Sequence, residues 1–143
     1  PDGRPQYMRL VPVQDFTNQD VKQWAQRHLA PNCHVVSDGT NAFAQVCQAQ
    51  ATHERHITGG RRQGAQTPQL HWVNTLLGNL KTSMAGTLHA FKHAKYAQRY
   101  LGEFAYRFNR RFDLAAMLPG LLRAVVQTGA LPLMVLRRSE VRG

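Results

Sequence analysis

The stretch Cys33-His34-Val35-Val36-Ser37-Asp38-Gly39-Thr40-Asn41-Ala42-Phe43 decides how the chain reads. Two adjacent β-branched residues, Val35 and Val36, sit in an apolar run too short for a helix, which predicts a buried strand over 33–37. Asp38-Gly39 then stops it, because Asp hydrogen-bonds its own backbone two residues on and Gly accepts unusual φ angles. A carboxylate there emerges at the carboxyl end of a strand, the place where open α/β sheets bind ligands. Asp-Gly is equally ordinary turn chemistry, so position alone leaves both readings open.

Working outward, Thr17 is placed to cap a helix running to Leu29, with Asp20 three residues on favouring its positive end. Val21, Trp24, Ala25, His28 and Leu29 then share one helical face. Further upstream, Tyr7–Val13 alternates imperfectly and predicts a strand, with Pro12 assigning it to an edge. Asp2-Gly3 before it is hairpin-turn chemistry, which implies a preceding strand that this sequence does not contain. The lack of an initiator Met agrees with a chain that starts inside a longer one.

Downstream, Asn41–Gln48 predicts a short helix and Arg55–Thr58 another short strand. Gly59-Gly-Arg-Arg-Gln-Gly64 is a basic loop that extends to Pro68. Helices follow over Trp72–Met84, Ala94–Phe112 and Leu114–Gln127. Pro119 should bend or interrupt the last of these, and Thr128-Gly129 should end it. The tail after Pro132 is apolar, then basic. The order strand, helix, strand, helix, strand, then helices predicts an α/β domain with a helical C-terminal end. Residues 1–128 form that domain and 129–143 the tail.

With 143 residues there is room for one ordinary core. Lys and Arg number 18 against 8 Asp and Glu, a net charge of +10. Nucleic acid is the natural partner for such an excess, because each neutralised phosphate releases condensed counterions. An anionic membrane surface or an acidic protein is the less favoured reading. No 18-residue apolar stretch suits a membrane span, and the polar start does not resemble a secretory signal. Cys33 and Cys47 are too few for a disulfide scaffold and read as reduced thiols of a cytoplasmic protein.

Candidate chemistry lies in two further stretches. In His71-Trp-Val-Asn-Thr-Leu-Leu-Gly-Asn-Leu-Lys81, Asn74 and Lys81 are two helical turns apart and project from one face. Solvated side chains, or Asn74 as a cap, account for that pattern as readily as a site does. On the longer helix Glu103 and Arg107 are i,i+4 neighbours, and Arg110 and Arg111 extend a basic face. From Phe91 to Phe112, Lys92, Lys95, Arg99, Arg107, Arg110 and Arg111 stand against the single acid Glu103. The aromatic stripe Tyr100, Phe104, Phe108 and Phe112 reads as core. Seven histidines invite a zinc reading, with His53 and His56 three apart and His89 and His93 four apart. No Cys pair or acidic partner accompanies them at metal spacing, which argues against zinc.

Three stretches together resemble the ISXO-type group of bacterial insertion-sequence transposases. They are Val-Val-Ser-Asp-Gly-Thr-Asn-Ala-Phe (35–43), His-Trp-Val-Asn-Thr-Leu-Leu-Gly-Asn-Leu-Lys (71–81) and Tyr-Leu-Gly-Glu-Phe-Ala-Tyr-Arg-Phe-Asn-Arg-Arg-Phe-Asp (100–113). The likeness runs to about Gln127, and the third stretch is the most specific. It implies an RNase H-like domain in which three metal-binding positions hold two Mg²⁺ ions, or Mn²⁺ in their place. One subgroup carries Asn at the third position, followed seven residues later by Lys.

By this resemblance Asp38 and Asn74 are metal ligands, Asp38 in the second position and Asn74 in the third. Asp38, Asn74 and Glu103 are the catalytic set. Lys81, Arg107, Arg110, Arg111, Arg61 and Arg62 would contact DNA, giving position rather than sequence. The activity implied is metal-dependent DNA cleavage and strand transfer in transposition, a form of DNA recombination. Its partners would be insertion-sequence ends and target DNA, with an oligomer expected of the full-length enzyme. Paired divalent ions suit this chemistry because they stabilise both the attacking and the leaving oxygen.

The departure from the family is at its start. The first catalytic Asp belongs on a first strand, upstream of the hairpin at Asp2-Gly3, and Asp2, Asp15 and Asp20 are all misplaced for it. The expectation is an N-terminally truncated domain, inactive alone and prone to aggregate through an unfilled sheet edge. The alternative is a non-catalytic basic remnant that only binds DNA.

Overall fold

The computed structural model describes residues 3–13, 15–57, 67–87 and 93–138. The chain divides into two compact units, Val13–Thr82 and a second made of Pro1–Pro12 with Ser83–Gly143.

The Val13–Thr82 unit begins with α1, Asn18–His28. The cap read from Thr17 is present in full. The Thr17 hydroxyl accepts from the Asp20 N–H at 3.2 Å, and the Asp20 carboxylate accepts from the Thr17 N–H at 3.3 Å. This reciprocal box satisfies donors that every helix start leaves open. Strand β1, His34–Ser37, follows, then a 3₁₀ helix over Asn41–Ala49 and strand β2, Thr52–Arg55. In a 3₁₀ helix residues three apart eclipse. Phe43, Val46 and Ala49 therefore align toward α1, where Val21 and Ala25 meet Ala42 and Val46 in a small buried core edged by Trp24, Leu29 and Val35.

β1 and β2 pair in parallel, in the register His34↔Thr52, Val35↔His53, Val36↔Glu54 and Ser37↔Arg55. Two left-handed residues start this pairing, Asn32 at φ 61 and Gln50 at φ 59. The Asn32 N–H donates to the Gln50 carbonyl, and the ladder continues from Thr52 N–H to the Cys33 carbonyl. A crossover between parallel strands normally requires a helical connection, and here the 3₁₀ helix supplies it. After residues 58–66, which include Arg61 and Arg62 and lie outside the described set, a short 3₁₀ turn at Pro68–Leu70 packs against β1 and buries Leu70. It leads into α2, His71–Thr87.

The other unit contains α3 (His93–Asn109), α4 (Met117–Gln127) and α5 (Leu133–Arg138). Its N-terminal strap runs alongside the end of α3. Asn109 presents its side-chain amide to Met8, accepting from the Met8 N–H at 2.7 Å and donating to the Met8 carbonyl at 2.9 Å. Arg111 donates to the Pro5 carbonyl and, at 2.7 Å, to that of Phe108.

Several expected boundaries move. Tyr7–Val13 joins no sheet among the described residues. The side-chain amide of Asn109 satisfies the Met8 backbone in the way a neighbouring strand would. The second strand lies three residues earlier than Arg55–Thr58, because the 3₁₀ helix delivers Thr52 opposite His34. The long helix stops at Asn109, short of Phe112, as Arg110, Arg111 and Phe112 turn. Pro119 neither bends nor interrupts a helix. α4 begins two residues before it, so Pro119 occupies the first turn, where the missing N–H has no intrahelical partner to lose. Gly3 takes φ 62, as a turn glycine does, while Asp2 lies outside the described residues.

The result is a mixed helix and strand structure with a small two-stranded parallel sheet. None of its described helices is long and apolar enough to cross a membrane.

Candidate active site

Asp38 stands one residue past the carboxyl end of β1, exposed to solvent. Its Oδ1 accepts from the Thr40 N–H at 3.1 Å, a local turn that fixes the carboxylate relative to the strand. Its Oδ2 has no partner among the described residues. The turn reading of Asp38 is therefore realised, in a residue exposed to solvent.

Gly39 makes this turn feasible. Its φ is 89, and a Cβ there would lie 3.2 Å from the Ile57 Cα and 3.3 Å from the His56 carbonyl oxygen. Only glycine takes that conformation without strain. The strand end is pinned from the other side as well. The Ser37 side chain is buried and pairs with His53 Nε2 at 2.8 Å, and the Ser37 carbonyl accepts from the His56 N–H.

A basic residue that sequence reading passed over lies beside this turn. Arg55 ends β2, and its guanidinium donates to the Asn41 Oδ1 at 2.9 Å. The register Ser37↔Arg55 carries it there. Its number in the sequence shows nothing of this, because the pairing depends on how far the 3₁₀ crossover advances the chain.

On the rim of the same two strands, Glu54 accepts from His34 Nε2 at 2.9 Å and from His56 Nε2 at 2.6 Å. His34 Nδ1 pairs in turn with Thr52 Oγ1 at 3.0 Å. The His34 hydrogen bond, and then that of His56, holds the Glu54 carboxyl below its ordinary value of 4.5. His53 and His56 attracted attention as a zinc pair. They instead serve a buried serine and an exposed carboxylate.

Asn74 and Lys81 lie on α2, exposed and two turns apart in one unbroken helix, as the spacing predicts. Lys81 has no acidic partner among the described residues. Glu103, Arg107, Arg110 and Arg111 belong to the other unit. Arg107 donates to Glu103 at 3.0 Å with both side chains more than half exposed, a pair worth about 0.2–0.5 kcal/mol. Arg110 stacks on the Tyr106 ring at 3.9 Å. Arg111 lies between the rings of Phe108 and Phe112, at 3.7 and 4.1 Å. Phe112, read as core, is largely exposed and serves as one side of this clamp.

Asp38 and Asn74 offer hard oxygen donors of the kind Mg²⁺ takes, although a neutral amide contributes no charge. Among the described residues no three His, Cys, Asp or Glu side chains come together to hold a metal ion. No catalytic step follows from the two ligand candidates alone.

The model of the ISXO2-like transposase domain matches residues 2–109. No curated protein and no solved structure matches the chain. The matched span contains Asp38 with its turn, the Asn74 and Lys81 helix, and the Glu103 and Arg107 pair, and it covers most of the sequence. The chain therefore belongs to the ISXO2-like transposase domain family, insertion-sequence transposases of the DDE type.

Proposed function

We propose that this chain carries an RNase H-like transposase catalytic fold that engages DNA but is catalytically silent by itself. Membership of a transposase family ties it to DNA transposition, with DNA as partner and divalent metal in the family's chemistry generally. The observation that supports the finer reading is Asp38, exposed just past the carboxyl end of a parallel strand and held there by the Thr40 N–H.

In this reading Asp38 and Asn74 would hold part of a Mg²⁺ or Mn²⁺ site, and the ion would polarise the phosphodiester and its attacking oxygen. The chain's own residues have three tasks. Gly39 and Ser37 keep the Asp38 carboxylate at the strand end. Glu103 orients Arg107. Lys81, Arg107, Arg110, Arg111, Arg61 and Arg62 meet phosphates, while Arg111 also ties down the Pro5–Met8 strap. Asp38 and Asn74 alone are an incomplete ligand set for paired ions, which is why cleavage is not expected of this chain by itself. We place the domain at 1–128, extending past the matched region, with 129–143 as a tail, and assign the protein to the cytoplasm.

The test is a cleavage and strand-transfer assay on insertion-sequence ends with Mg²⁺ or Mn²⁺. The chain should give no product, and Asp38→Ala should change nothing. Turnover that Asp38→Ala abolishes would overturn the silent reading. A purely basic remnant is the alternative, and it predicts DNA affinity that metal and Asp38→Ala leave untouched. Metal-strengthened binding lost in Asp38→Ala, without turnover, supports the partial site over that alternative.

A further inference from the structure

The carboxyl end of the two-stranded sheet holds a second charged group besides Asp38. The register Ser37↔Arg55 brings Arg55 to the last position of β2, level with the residue that precedes Asp38. The turn that follows β1 is shaped to take its side chain. A Cβ on Gly39 would lie 3.3 Å from Arg55 Nε, so the absence of that carbon leaves the guanidinium room against the turn. Two residues further on, the Asn41 Oδ1 accepts from Arg55 Nη2 at 2.9 Å. One side of the guanidinium therefore rests on the turn and one corner is held, which sets its direction although the side chain is exposed. Among the described residues it forms no ion pair, with Asp38 or with any other acid. Glu54 is its neighbour in the chain, but successive side chains of a strand point to opposite faces, and Glu54 bonds His34 and His56.

We infer that Arg55 is a phosphate-binding residue of the DNA interface, that Asn41 orients it, and that it seats a backbone phosphate at the same sheet end as Asp38. The inference rests on the transposase reading above and adds to it a contact that the sequence does not announce. A guanidinium carries several donors in a planar fork, and the Asn41 bond uses one of them. The remaining donors suit two oxygens of one phosphate, a geometry that lysine cannot reproduce. Because Asn41 already holds the fork, less side-chain freedom is lost when a phosphate arrives. Because Arg55 is not paired with Asp38, the phosphate displaces no existing ion pair to reach it. A residue that only braced the turn would need a donor and no charge, which separates the two roles experimentally. Binding is the readout, so no turnover is required.

The experiment is fluorescence anisotropy of the full chain with a duplex oligonucleotide over a salt series. Arg55→Gln, which keeps a donor and drops the charge, should weaken binding about 10-fold and flatten the salt slope by about one. Arg55→Lys restores the charge without the fork, so the slope should return to the wild-type value while affinity stays below it. Asn41→Ala releases the guanidinium and should weaken binding without changing the slope. Arg27→Gln removes the same charge from the last turn of α1, ahead of the amino end of β1, and should leave the slope as it was. Circular-dichroism spectra of all four variants should match wild type, since the exchanged side chains are exposed. Arg55→Gln binding like wild type, or Arg27→Gln flattening the slope equally, overturns the assignment, while a slope that Lys81→Ala still flattens keeps the DNA reading intact. Wild-type affinity indifferent to salt would instead remove the DNA reading, and the Arg55 assignment with it.

Discussion

At the scale of single residues, the strand-end turn is the sharpest constraint. Gly39→Ala places a Cβ against backbone at a φ of 89, so it should destabilise the Val13–Thr82 unit by about 1–3 kcal/mol, measurable by urea unfolding. Unchanged stability would show that the turn relaxes freely. Glu54 gives a pH signature. Its folded pKa is depressed, so its contribution is present above the ordinary value of 4.5 and disappears as pH falls through the lower folded value. Carboxyl-carbon NMR should put the Glu54 midpoint below 4.5, with His34→Ala raising it more than His56→Ala, following the order of the two hydrogen bonds. The Asp38 turn, the shared helix of Asn74 and Lys81 and the Glu103–Arg107 pair were legible in the sequence, because turn chemistry and helical spacing are local. Arg55 and the His34–Glu54–His56 group were not, since they depend on a strand register that no local pattern encodes.

At the scale of elements, α1 shows where sequence reading is strongest. Its cap (Thr17 with Asp20) and its buried face (Val21 with Ala25) each follow from residues about one turn apart. Thr17→Ala should cost its unit about 1 kcal/mol of stability, as lost caps do, and lower the urea midpoint accordingly. The Tyr7–Val13 segment shows the reverse case. Its alternation predicts a strand, yet a strand needs a partner, and the partner here is one side chain from residue 109. Asn109→Ala removes both bonds to Met8 and should cost about 1–2 kcal/mol. Hydrogen exchange at the Met8 amide should accelerate and the strap should become open to proteases. Retained protection would mean that the Arg111 contact with Pro5 suffices alone. Pro119 teaches the same lesson: its effect depends on where α4 begins, which no residue near it announces.

At the scale of the whole molecule, two features govern behaviour, a sheet of only two strands among the described residues and a strong positive charge. β1 and β2 form a sheet of two strands, and among the described residues neither outer edge is paired. Two strands are marginal alone and unpaired edges invite other chains. The chain should therefore unfold at modest temperature with aggregation, and a sharp reversible transition in dilute monomer would oppose that expectation. The net charge of +10 was readable at once, and it underlies the central claim that this transposase-family chain engages DNA through phosphate contacts. The most direct measurement is fluorescence anisotropy with duplex DNA over a salt series. The logarithm of the affinity should fall linearly with the logarithm of salt concentration, and Lys81→Ala and Arg107→Ala should each flatten the slope by about one. Affinity that does not respond to salt, or a slope unmoved by both substitutions, would contradict the account.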